Sequence, residues 1–98
     1  MSKYRTVIGE RVKVKIENLK EYFAEEESGR DTDFLAGLWD CLEKLEENPF
    51  RWQYLNTQEE GIRRAIIPYP QTIVYYKVDG DSVYITNIFH SRADREME

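Results

Sequence analysis

The sequence predicts an α+β protein: a strand, an αα-hairpin, then an antiparallel sheet of three or four strands carrying the helices on one face. Three observations predict it. Two long segments before Pro49 repeat their apolar residues at helical spacing. The chain beyond Pro49 turns aromatic and β-branched, with turn residues between short runs. Helical and strand patterns are segregated along the chain, the order that places helices together on one sheet face.

The opening run Tyr4-Arg5-Thr6-Val7-Ile8 is β-prone and ends at Gly9. From Glu10 to about Glu27 the period becomes helical. Val12, Ile16, Leu19 and Phe23 fall within one narrow arc at about 100° per residue. Lysines and glutamates fill the rest of the surface, with pairings at helical spacing such as Lys13 and Glu17. Ser28-Gly29 breaks the pattern. A second helix is expected to start at an N-cap on Asp31 or Thr32, whose side-chain oxygens accept orphan backbone N–H groups. Leu35, Leu38, Leu42 and Leu45 form its stripe, widened by Phe34 and Cys41. It ends near Glu47, because Asn48 precedes a proline and is pushed out of the α region.

Four strand candidates follow. They are Trp52-Gln53-Tyr54-Leu55, Ile62 to Ile67, Thr72 to Val78, and Ser82 to about His90. Asp79-Gly80-Asp81 is the expected hairpin turn between the last two, with Gly80 free to take a positive φ. The final strand breaks phase: Val83 and Ile85 are odd-numbered, Ile88 even-numbered. Either both faces are partly covered or a bulge near Thr86-Asn87 resets the alternation. That choice decides which way His90 points.

With 98 residues the chain is long enough for one domain. Cys41 is the only cysteine, so no disulfide framework is expected; it reads as a small buried hydrophobe and offers no metal site. No run reaches the roughly 20 apolar residues that span a bilayer, and Met1 to Arg5 do not lead into a signal-peptide core. A soluble, cytoplasmic protein without cofactor or metal is expected.

Charge argues against a non-specific nucleic-acid binder, since 14 basic against 19 acidic residues leave a net charge of −5. The acids cluster, however, at Glu25 to Glu27, Glu43 to Glu47, Glu59-Glu60 and the last five positions. The stretch from Gly61 to Lys77 holds Arg63, Arg64 and Lys77 and no acid. A charge-segregated surface is therefore open to this chain.

This order and its punctuation resemble the RelE/ParE toxin superfamily over nearly all of residues 1–98. Val12 to Phe23 looks like that family's first helix, and Leu42 to Pro49 like the ending of its second. Gly61-Ile62-Arg63-Arg64 is similar to the glycine–x–arginine that opens a central strand. Ile73-Val74-Tyr75-Tyr76-Lys77-Val78 resembles the tyrosine-bearing strand, and Ile88 to Asp94 the histidine–x–arginine–x–aspartate close. The resemblance implies one toxin domain of a bacterial type II toxin–antitoxin (plasmid stabilisation) pair, neutralised by a cognate antitoxin. It allows two activities: ParE-like binding of DNA gyrase, or RelE-like cleavage of messenger RNA on the ribosome. A third outcome is a non-toxic interaction module of the same fold.

RNA cleavage needs a base for the 2′-hydroxyl, a cation for the phosphorane and an acid for the leaving oxygen. The catalytic candidates under that reading are Arg63, His90 and Arg92, with Tyr69, Tyr75 and Tyr76 as weak acids. Histidine suits proton transfer because its ordinary pKa lies near neutrality. Arg63 and Arg64 are adjacent on a strand and face opposite sides, as do Tyr75 and Tyr76. RNA-cleaving members of the resembled family bring a cluster of lysines and arginines to the cleft, whereas here no lysine lies between Lys44 and Lys77, and Glu59 and Glu60 match no motif. The expectation is therefore the ParE-like branch, with Arg63, Arg64, Tyr75, Lys77 and Trp52 as partner-binding candidates.

Overall fold

The computed structural model describes residues 3–52 and 61–90. Within them the order is β1 (Arg5–Ile8), α1 (Glu10–Glu26), α2 (Arg30–Glu47), β2 (Arg63–Ile67), β3 (Thr72–Asp79) and β4 (Ser82–Phe89). The architecture is two helices on one face of a four-stranded sheet of order β1-β4-β3-β2. The sheet departs from expectation in being mixed. β2, β3 and β4 are antiparallel neighbours, but β1 runs parallel to β4, with Thr6 opposite Val83 and Ile8 opposite Ile85. An N-terminal strand returning beside the last one has no turn to set its direction. The packing of the intervening helices sets it instead.

The helical stripes form the core. Val12, Leu19 and Phe23 of α1 and Phe34, Leu38, Cys41, Leu42 and Leu45 of α2 are buried, with Ile16 and Leu35 packed at the margin. They meet Ala65, Ile67, Val74, Tyr76, Val83, Ile85 and Ile88 from the sheet. Each large side chain buried this way contributes about 1.5–3 kcal/mol. Gly37 sets the approach of α2 to β2. A Cβ there would lie 2.7 Å from the Ile67 Cγ2 and 3.3 Å from the Tyr69 carbonyl oxygen, so only glycine fits without displacement.

The second helix does not start at Asp31 or Thr32. Its N-cap is Gly29, at φ 88°, and no side chain caps it. A helix-to-helix turn this short needs a left-handed residue, and that demand outweighs the preference for a capping oxygen. Asp31 and Asp33 sit in the first turn instead, where their charge favours the helix dipole. Arg30 ties this corner down, pairing with Glu26 and Glu27 at 2.9 Å each and donating to the Tyr69 hydroxyl at 3.3 Å.

Gly80, at φ 61°, leads the two-residue turn that joins β3 to β4. The phase break of β4 is a bulge. Tyr75 faces Asn87 and Tyr76 faces Ile85, leaving Thr86 as the extra residue. The bulge allows Val83, Ile85 and Ile88 all to face the helices. Of the proposed strand at Trp52 to Leu55, Trp52 lies outside any strand and the rest lies outside the described residues.

Candidate partner-binding surface

Strand alternation divides the sheet residues between two faces. The face under the helices carries Ala65, Val74, Tyr76, Val83, Ile85 and Ile88. The opposite face is covered by neither helix, and the registers order its side chains into three rows. Arg64 pairs with Tyr75, which pairs with Asn87. Ile66 pairs with Ile73, which pairs with Phe89. Lys77 pairs with Tyr84, which lies opposite Val7 of β1. Ile66, Tyr84 and Val7 are exposed, and Ile73, Tyr75, Lys77 and Phe89 are half-buried.

The sheet and helix α2 differ in charge, while α1 is nearly balanced. The four strands hold Arg5, Arg63, Arg64 and Lys77 against a single carboxylate, Asp79 beside the hairpin turn. Helix α2 holds Asp31, Asp33, Asp40, Glu43, Glu46 and Glu47 against Arg30 and Lys44. The open sheet face is thus basic and aromatic on a chain of net charge −5. Such a surface attracts an acidic partner and offers it ring faces and aliphatic area.

Arg64, Tyr75 and Lys77 share this face. Arg63 does not. It belongs to the helix side, where its guanidinium donates to the Trp52 carbonyl at 2.7 Å and lies 5.1 Å from the Phe50 ring. Trp52 is half-buried against the core, with the Arg51 guanidinium 5.0 Å from its ring. Arg63 and Trp52 together hold the segment after α2 against the start of β2. Tyr76, the cross-strand partner of Arg63, completes that junction by donating its hydroxyl to the Pro49 carbonyl at 2.5 Å. Burial pushes the Tyr76 hydroxyl up to about 12, against a smaller lowering by Arg63.

His90 also points to the helix side. The bulge puts it in phase with Ile88, and its ring packs 4.9 Å from Phe23 and 5.8 Å from Tyr22. Arg92 lies outside the described residues. Arg63 and His90 are not brought together. The row of Arg63 and Ile85 is four rows from that of Ile67 and Thr72, with which His90 is level. At about 3.3 Å per row this is roughly 13 Å along the strands, and the two residues also stand two strands apart. Tyr69 is exposed and engaged by Arg30. The Cys41 thiol is buried, which pushes it up to about 11 and leaves it inert at neutral pH. Among the described residues no cluster of His, Cys, Asp and Glu could hold a metal ion, and no helix is long and apolar enough to cross a membrane.

The rows containing Ile66, Tyr84 and Phe89 escaped the sequence reading. Alternation within β2 and β4 was the available signal, but the bulge hid it in β4. No protein-family model matches the chain, and no curated protein does. Fold and site together define a two-layer α+β protein with a basic, aromatic sheet face that neither helix covers.

Proposed function

We propose that this chain is a binding toxin with a RelE/ParE-like fold, of the ParE-like kind: a cytoplasmic protein that acts by docking on a large target such as DNA gyrase and is neutralised by a cognate antitoxin. The observation that carries the reading is the open sheet face, where Arg64, Tyr75 and Lys77 stand among apolar side chains with no carboxylate in the three rows. An acidic antitoxin segment laid across those rows would neutralise the cations and cover Ile66, Tyr84 and Val7 together. The wide separation of Arg63 from His90 favours binding over ribonuclease chemistry, because general acid–base catalysis on one phosphate needs its groups within hydrogen-bond reach of it.

Induced expression tests the reading. Growth arrest with DNA damage and filamentation is the expected phenotype, lost when Arg64→Glu and Lys77→Glu are combined. Arrest with rapid loss of translated messenger RNA would move the protein to the ribosome-dependent nuclease reading. A folded product without any phenotype would leave it a non-toxic interaction module. A stable complex with the product of the neighbouring reading frame, seen by size-exclusion chromatography, is the expected sign of the antitoxin.

A further inference from the structure

A second surface, which meets the open sheet face only at Val7 on the sheet edge, has the features of a docking groove. It runs between the free edge of β1 and helix α2, encloses about 510 Å³, and is lined by Thr6, Val7, Trp39, Leu42, Glu43 and Glu46. Trp39 is 63% exposed, the most exposed large apolar side chain among the described residues. Tryptophan is enriched among the anchors of protein–protein contacts, and keeping it exposed beside a groove forgoes its burial energy.

The rim chooses the sign of the partner. Lys13 lines the groove, but its ammonium is 3.5 Å from Glu10, and Lys44 pairs with Asp40 at 2.9 Å. Glu43 makes no ion pair with any described residue, and Glu46 adds a second carboxylate. The field over Trp39 is therefore negative, opposite to that of the sheet face. The edge of β1 also chooses the partner's conformation. Its outward amide at Thr6 already donates to the Glu46 carboxylate at 3.1 Å, as does the Thr6 hydroxyl, so an incoming strand finds this amide taken. That favours a partner that reads the groove with side chains, as a helix does.

We infer that the β1–α2 groove is a docking site for an amphipathic protein helix that presents an apolar residue to Trp39 and lysine or arginine to Glu43 and Glu46. The site shares only Val7 with the sheet face and does not rest on the toxin reading. It is tested with a helical peptide carrying leucine on one face flanked by lysines, against the same peptide with glutamates in their place. The protein contains two tryptophans, so in a Trp52→Phe background the emission reports Trp39 alone. The lysine peptide is expected to bind saturably, shift the Trp39 emission to the blue, and bind at least about tenfold more tightly than the glutamate peptide. Glu43→Lys, a surface change, should weaken it about tenfold, and Trp39→Ala should weaken it as much when followed by peptide anisotropy. Arg64→Glu should leave it unchanged. Absence of saturable binding, equal binding of the two peptides, or indifference to Glu43→Lys overturns the inference. A concentration-dependent dimer abolished by Trp39→Ala in sedimentation also overturns it, since the groove would then belong to a second copy.

Discussion

Tyr76 donates its hydroxyl to the carbonyl oxygen of Pro49, joining the central strand β3 to the residue that stops helix α2. Both residues are fully buried. The bond satisfies a buried carbonyl at the point where the chain leaves the helix.

Removal of that hydroxyl should be costly. Tyr76→Phe keeps the ring and leaves the Pro49 carbonyl buried without this donor, a loss of about 1–3 kcal/mol. Urea denaturation with an unchanged m-value checks it. An unaltered midpoint would show that the bond contributes nothing.

The same burial predicts alkaline sensitivity. Tyr76 is raised from 10.0 to about 12 and Cys41 from 9.0 to about 11, both by desolvation first. Their folded pKa values exceed the unfolded ones, so the folded state holds its protons longer. The stability they contribute is fully present below about pH 9 and declines as pH rises through 9 to 12. Chemical denaturation across that range should show the decline, and Cys41→Ala should remove its lower part.

The adjacent arginines of β2 should separate stability from binding. Arg63→Ala loses the donor to the Trp52 carbonyl and should cost about 1–3 kcal/mol. Arg64→Ala should change stability by less than about 0.5 kcal/mol, yet weaken antitoxin or target binding in a salt-dependent way. Calorimetry and titration of each variant test the pair, and a reversed pattern would refute the assignment of faces.

His90 is expected to be a packing residue. His90→Leu should preserve growth arrest, because the ring sits between Tyr22 and Phe23 and not on the open face. Loss of toxicity in a stably folded His90→Leu protein would restore a chemical role for the imidazole.

Gly37→Ala should destabilise although alanine is the better helix former by about 1 kcal/mol. The new methyl meets Ile67 at 2.7 Å, and overpacking of this kind costs about 1–3 kcal/mol. Thermal melts should show the fall, and adding Ile67→Ala should cost less than it does in the Gly37 background.

Much of this was legible in the chain because it is local. The stripes of α1 and α2 were written in residues three and four apart, and the structure buries them as that spacing requires. Gly80 marked the β3–β4 turn, and the parity break from Ile85 to Ile88 named the bulge as one of two solutions. The face of Arg63 was not legible. Alternation states that Arg63 and Arg64 oppose each other, but not which of them meets the helices. The start of the second helix was misread for a local reason, the competition between a capping oxygen and a left-handed turn at Gly29.

By itself the sequence determined the class of the protein: two amphipathic helices, then antiparallel strands, with acids clustered outside the strands and almost absent from them. Periodicity and composition act over a few residues, and a few residues suffice for them. Only the tertiary structure decided that β1 runs parallel beside β4, that His90 and Arg63 turn toward the helices, and that Trp39 stands exposed at a groove. Those outcomes depend on which distant surfaces meet, and the free energy that selects them is spread over the whole core.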